Sequence, residues 1–338
     1  MAERGLAAMP KVTVVIPNYN YARFLPQRIE SVLNQSYRDF EVLYLDDAST
    51  DESAKSFARY AADPRIRSIL NTENSGGPFP QWNRGVREAT TEYVWIAEAD
   101  DYADERLLER LVPILDANPN VGIVYCQSRY VDEEGVLGGS AASQQDPERW
   151  SHDFISLGQE ECARYLLFGC TLPNASAVVF RKSVYEATGG ADETMQLCGD
   201  WHLWAKMLLR SDVAFVAEPL NYFRQHTHSV SKRTQTAVFV AEKYRIARMI
   251  RDSVSLPAER LERSCDDMAG YWIYNALNPP RSISLRGSRA IYPLARAMDR
   301  QLNRRLVGKI VKYYLWRMGI LDRLRATRNA VSPRSAEG

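Results

Sequence analysis

The sequence predicts an α/β protein: a Rossmann-like, mostly parallel sheet flanked by helices, followed by a helical C-terminal extension. Three observations carry this. Short β-branched apolar runs alternate with amphipathic stretches through the first 130 residues, the signature of repeated βαβ units. Three of those runs end in polar clusters: Pro17-Asn18-Tyr19-Asn20, Asp46 through Asp51, and Glu98-Ala99-Asp100-Asp101. Beyond about Lys232 the apolar residues recur almost wholly at helical spacing.

Taken in order, Val12 to Pro17 is a continuous apolar run suited to a strand buried on both faces. A helix follows from about Pro26 to Asn34, with Ile29, Val32 and Leu33 on one side and Pro26 near its start. Glu41 to Leu45 is the second strand, and Asp51 is placed to cap a helix running to about Ala62. Ile66 to Leu70, a Gly/Pro-rich loop, a helix near Gln81 to Ala89 and a strand from Tyr93 to Ala97 continue the alternation. A helix from about Glu105 to Asn118 and a strand from Gly122 to Cys126 complete it. The middle is less regular. Gly135 to Arg149 reads as a surface loop, Ala175 to Arg181 as a strand and Asp200 to Arg210 as a helix, with short strands at Val213 to Ala217 and Asn221 to Arg224.

The chain has 338 residues, enough for one large domain and an appendage. No run of 18 apolar residues occurs, so no membrane span is expected. Met1 to Pro10 lacks the apolar core of a secretory signal. The five cysteines are scattered, with no CxxC pair, which argues against a disulfide framework or zinc site and for a reducing, cytoplasmic setting. The net charge of +1 hides an asymmetry: from Arg281 onward fourteen Lys or Arg face only three Asp or Glu. A basic tail on an acidic body either meets an anionic surface or packs on the body itself.

Ligands of open parallel sheets bind beyond the carboxyl ends of the strands. One polar strand end could be only a turn or a helix cap; three at the same edge build a carboxylate-lined pocket. There is no GxGxxG after the first strand and no GxxxxGK[ST] anywhere, which disfavours a dinucleotide dehydrogenase or a P-loop ATPase. Carboxylates without a phosphate loop suggest a divalent cation such as Mn²⁺ or Mg²⁺, held by one or two side chains and the substrate's phosphates.

The runs VTVVIPNYN (12–20), SVLNQSYRDFEVLYLDDASTDES (31–53), NSGGPFPQWNRGV (74–86) and EYVWIAEADDYADERLLE (92–109) together resemble glycosyltransferase family 2. The resemblance implies the GT-A fold over residues 11–232, with a nucleotide-sugar-binding half at 11–130 and an acceptor-binding half at 131–232. Residues 1–10 form a tail and 233–338 a helical region. It implies that Pro17, Asn18 and Asn20 line the base and ribose, and that Asp47, with Asp46 beside it, accepts a hydrogen bond from the base. Asn74 and Asn83 would flank the nucleotide or cap local helices. Glu98-Ala99-Asp100 stands where the family carries DxD. Asp100 is then the metal ligand, and Glu98, one methylene longer than the usual Asp, contacts ribose or metal or supports them from behind. Asp101 would cap the next helix.

By the same resemblance, Gly199-Asp200-Trp201 holds the general base, Asp200, which could also serve as an N-cap. The run 222–231 resembles a strand-end YRxHxxSxS pattern: His226, or else His228, would reach the metal or diphosphate, and Arg224 would pair with phosphate or make a structural salt bridge. His152 and His202 match no role. The implied reaction is an inverting transfer of a sugar from a nucleotide-sugar, with a UDP-sugar favoured, to a hydroxyl of a saccharide or lipid-linked saccharide. Such chemistry suits bacterial surface polysaccharide or glycolipid assembly. A non-catalytic nucleotide-sugar binder and a sugar nucleotidyltransferase are the rivals.

In the tail, Val307, Ile310, Val311, Tyr314, Met318 and Leu321 share a stripe, with Arg305, Lys309 and Lys312 mostly off it. Such a helix packs on the catalytic body or a second subunit, or lies peripherally on the inner face of the membrane. No nucleic-acid-binding module accompanies the basic residues.

Overall fold

The computed structural model describes residues 10–140, 146–226, 236–279 and 282–320. His228 and the run around it, the middle of the expected loop at 141–145, the first nine residues, and the tail from Leu321 lie outside the described residues. The chain divides into two compact units: residues 1–233 with 252–255, and residues 234–251 with 256–338.

In the first unit β1 (Val12–Asn18), α1 (Leu25–Leu33), β2 (Phe40–Asp46), α2 (Ser53–Ala58), β3 (Ile66–Leu70), α3 (Pro78–Glu88) and β4 (Tyr93–Ile96) alternate as expected. They are followed by β5 (Tyr102–Ala103), α4 (Leu107–Ala117), β6 (Val121–Val131), β7 (Leu137–Ser140), β8 (Phe154–Ser156) and α5 (Gly158–Glu161). Then come β9 (Val178–Arg181), α6 (Lys182–Ala187), α7 (Gly199–Leu208) and β10 (Asp212–Arg224). One sheet joins all ten strands in the order β3-β2-β1-β4-β9-β6-β10-β5, with β7 beside β6 and β8 beside β10. The pairs β1–β2, β1–β4, β2–β3 and β6–β10 are parallel. All seven residues of β1 are buried, as a central strand covered on both faces requires.

Several elements differ from the sequence reading. β9 is antiparallel to both its neighbours, β4 and β6, and joins the two parallel groups. β10 is a single strand where two were expected: Pro219, which has no N–H to donate, is absorbed by register shifts against β6. Part of the expected loop is strand β7, folded back on β6 through a turn in which Asp132 Oδ1 accepts the amides of Glu134 and Val136. α2 stops at Ala58, short of the expected end near Ala62.

The second unit holds α8 (Thr236–Ser253) as far as Arg251, with α9 (Ala258–Leu277), α10 (Leu285–Met298) and α11 (Leu302–Arg317). Tyr244, Met268, Trp272, Ile291 and Leu302 are among its buried residues. Arg305 of α11 pairs with Asp299 at 2.8 Å and Glu262 at 2.6 Å, and Lys309 with Asp266 at 2.5 Å. No described helix is long and apolar enough to cross a membrane.

Candidate active site

Parallel pairing brings the first two polar clusters together, because Asn18 is registered opposite Asp46. The Asn18 amide donates to Asp46 Oδ2 at 2.9 Å and to Ser49 Oγ at 3.1 Å. Tyr44 Oη also donates to Asp46 Oδ2 at 2.9 Å, and the Ser49 amide to Oδ1 at 2.8 Å. Burial first, and then the Asp46 charge, hold the Tyr44 hydroxyl far above its ordinary pKa. Asn20 takes a left-handed conformation (φ 61°), and its Oδ1 accepts the amides of Thr50 at 2.7 Å and Asp51 at 3.2 Å. Asp46 and Asn20 therefore tie the two strand-end loops together, and neither lines the cavity they border.

That cavity has a volume of about 390 Å³ and lies beyond the strand ends. Pro17, Asn18, Asp47, Asn74, Glu98, Asp100 and Asp200 all line it. Asp47 is 2 % exposed, and its carboxylate is crowded with donors. Oδ1 accepts from Asn71 Nδ2 at 2.7 Å and Gln81 Nε2 at 2.7 Å. Oδ2 accepts from Asn74 Nδ2 at 3.0 Å and Ser75 Oγ at 2.8 Å, and the Ser75 amide lies 3.0 Å from both oxygens. A carboxylate has about four lone-pair sites, so Asp47 organises the 71–81 segment in this conformation. Asn83 is turned elsewhere: its side chain bonds both the N–H and C=O of Ala191 and accepts from Tyr185 Oη, which joins α3 to the 185–191 segment.

At the third cluster, Glu98 Oε1 accepts the Trp82 indole N–H at 2.6 Å. Burial, then the neighbouring Asp100 charge, push the Glu98 carboxyl up to about 8, with the indole bond opposing. Asp100 Oδ2 lies 2.9 Å from His226 Nε2. The imidazole is 2 % exposed, with Tyr21 edge-on at 5.6 Å and Phe24 at 5.7 Å between ring centroids. The expected helix cap, Asp101, is a correction: buried, it accepts the Arg224 amide at 2.8 Å and Asn174 Nδ2 at 2.8 Å. Burial and Asp100 raise its pKa.

The Arg224 guanidinium is likewise committed, donating to the Asp100 carbonyl at 2.8 Å, the Asp132 carbonyl at 2.7 Å and Gln27 Oε1 at 2.7 Å. It braces the loop from behind and does not line the cavity. Arg28, which the sequence reading passed over, is wholly buried beneath the same loop and donates through Nε to the Glu98 carbonyl at 2.8 Å. Burial lowers its pKa to about 10, against the pull of Asp101, Asp100 and Glu98, so it remains a cation at neutral pH.

Asp200 stands in the first turn of α7. The N-cap position belongs to Cys198, and Asp200 Oδ1 accepts the adjacent Trp201 amide at 2.7 Å. Gln81 and Trp82 are further wall residues that the sequence reading left unassigned. A helix begun at Pro78, a favoured first-turn residue, would have put both on the cavity side. Among the described residues no group of three or more His, Cys, Asp and Glu is disposed to hold a metal ion by itself.

A mixed sheet whose parallel strands end at a carboxylate-lined cavity has the ligand-binding edge of an open α/β fold. Residues 13–188 match the model of glycosyl transferase family 2, and the chain belongs to that family. It is 30% identical over 229 residues to an uncharacterised glycosyltransferase of Nostoc sp. (strain PCC 7120); the match covers 64% of this chain and 65% of that one, just under two thirds of the relative's length. Among solved structures, residues 1–349 of S. aureus TarS in complex with UDP-GlcNAc superpose with a TM-score of 0.67 at 14% identity, covering 91% of this chain and 92% of that chain. A mannosyltransferase from Pyrobaculum calidifontis in complex with GDP-Man and Mn²⁺ gives a TM-score of 0.54 at 19% identity, covering 90% and 86%. At such identities the likeness speaks to the fold.

Proposed function

We propose that this chain is an inverting glycosyltransferase that moves a sugar from a UDP-sugar to a hydroxyl of a saccharide or lipid-linked saccharide, in bacterial surface polysaccharide or glycolipid assembly. The observation that carries the reading is that Asp47, Asp100 and Asp200, from three separate segments, line one cavity. Asp47 and the residues it gathers serve the nucleotide end, Asp100 the diphosphate and Asp200 the acceptor. The UDP-GlcNAc bound by TarS supports uridine as the nucleoside.

Asp200 takes the proton from the acceptor hydroxyl as that oxygen attacks the anomeric carbon opposite the leaving diphosphate. One displacement without a covalent intermediate inverts the configuration. Asp200 sits at the N-terminal end of α7, where the aligned peptide dipoles favour a carboxylate anion. Phe79, Trp82 and Phe223 give the cavity apolar faces on which sugar and base can rest.

The Asp100–His226 pair suits a divalent cation, Mn²⁺ or Mg²⁺: one carboxylate oxygen and one imidazole nitrogen lie 2.9 Å apart, and such ions commonly take their remaining ligands from phosphates and water. Bound there, the ion would offset the negative charge of the diphosphate. Two protein ligands agree with there being no three-residue cluster among the described residues.

The test is calorimetric binding of UDP, GDP and dTDP, each with Mn²⁺ and with chelator, to the wild type and to D100A. Metal-dependent binding of UDP that D100A abolishes is expected. Binding of none of the three would defeat the reading.

For the tail, the reading places α11 on an anionic membrane surface. Val307 is 62 %, Val311 51 % and Tyr314 51 % exposed, so the apolar stripe is left uncovered by the described residues. The helix Leu302–Arg317 carries five Arg or Lys and no Asp or Glu. An exposed apolar stripe within a cationic helix complements anionic lipid.

A further inference from the structure

Glu98 stands where Asp is the commoner residue in the motif it resembles, and the structure supplies a use for the extra methylene. Trp82, on α3, donates its indole N–H to Glu98 Oε1 at 2.6 Å. An aspartate would retract the carboxylate by about 1.5 Å, one C–C bond, and break that contact. The main chain of Glu98 cannot follow, because it is held on both sides. Its amide donates to Ser176 Oγ at 3.0 Å, and its carbonyl accepts from Arg28 Nε at 2.8 Å.

The donor is equally immobile. Trp82 is 3 % exposed, edge-on to Phe79 with ring centroids 5.2 Å apart and stacked on Trp204 at 6.1 Å. Indole is a donor only, so its buried N–H needs an acceptor, and Glu98 Oε1 supplies it. Both side chains line the cavity that also holds Asp47, Asp100 and Asp200.

We infer that Trp82 is a positioning residue of the donor site: its indole N–H fixes the Glu98 carboxylate beside Asp100, and the Trp82–Glu98 pair replaces the shorter carboxylate of the resembling family. This rests on the donor-site reading above. The fixed carboxylate presents one orientation to the ribose or sugar hydroxyls of the nucleotide-sugar. Without the indole bond the longer side chain is free to rotate, and that freedom must be lost on binding.

A double-mutant cycle tests it, read as the affinity for UDP with Mn²⁺ by calorimetry and, in parallel, as the melting temperature. Trp82→Phe keeps an aromatic ring and removes the N–H; Glu98→Asp keeps the carboxyl group and removes the reach. Each should weaken UDP binding by about tenfold, the scale of one hydrogen bond. The double variant should bind no worse than the weaker single one. Glu98→Gln is the control that keeps the reach and an acceptor for the indole. Trp82→Phe should therefore cost the same factor in the E98Q background as in the wild type, and nothing in the E98D background. A purely structural role would lower the melting temperature and leave UDP affinity per folded molecule unchanged. Multiplicative losses in the double variant, or undiminished affinity in W82F, would overturn the pairing. A wild type that binds no nucleotide would overturn the donor-site reading instead.

Discussion

Gly199 lies directly against the ring of Phe79: a Cβ at position 199 would collide with the ring edge. Gly199 opens α7 and precedes Asp200, and Phe79 lies near the start of α3, so this contact fixes the spacing between the starts of the two helices. Gly199→Ala should push the two apart. We expect a stability loss of about 1–3 kcal/mol, the usual cost of overpacking, with a fall in turnover. Combining it with Phe79→Leu should recover part of the stability. A G199A protein with unchanged melting and turnover would show that the contact is slack.

Ala48 follows the Asp46-Asp47 pair in a left-handed conformation, φ 61°, which an L-residue with a β-carbon adopts only at a cost. Ala48→Gly should relieve it, giving about 1 kcal/mol after glycine's greater loss of backbone freedom. Thermal unfolding should shift upward by roughly 2 °C. A lower melting temperature would mean that the surrounding hydrogen bonds depend on the alanine.

Gln81 donates to Asp47 Oδ1 at 2.7 Å and to Ser75 Oγ at 2.9 Å. Its Oε1 is buried without a protein partner. Gln81→Ala should loosen the 71–81 segment around Asp47 and weaken nucleotide binding by about tenfold, one charged hydrogen bond. Calorimetric titration of the variant with UDP checks this. Unchanged affinity would remove Gln81 from the donor site.

The edge of the sheet that carries the site was legible because its determinants are local. The apolar runs fixed β1, β2 and β4, and their polar ends could meet only at one edge once the strands were parallel. What each polar residue does there was less legible, since it depends on partners distant in sequence. Asp101 reads as a helix cap but is drawn inward by Asn174 and the Arg224 amide, 73 and 123 positions away. Arg28 falls within an amphipathic helix and gives no sign of burial until the Glu98 carbonyl lies over it. β9 reads as an ordinary strand, because a short apolar run says nothing about its direction.

On α11, Arg304, Lys312 and Arg317 have no ion pair among the described residues, whereas Arg305 and Lys309 are held by acidic neighbours. Reversing the first three to Glu should abolish flotation with phosphatidylglycerol vesicles and leave the melting temperature within about 1 °C, as expected of surface substitutions. Phosphatidylcholine vesicles should capture neither protein. Failure of the wild type to float with anionic vesicles would end the membrane assignment. A concentration-dependent rise in mass without flotation would identify a second copy as the partner.

The central claim is that Asp200 is the base, and the most direct measurement is turnover beside donor binding in Asp200→Asn. Asparagine preserves the shape and cannot take the acceptor's proton. The account predicts that release of nucleoside diphosphate in the presence of acceptor falls by about 10²–10⁴-fold, the range for loss of a general base, while UDP affinity with Mn²⁺ stays at the wild-type value. Near-normal turnover in D200N would contradict it.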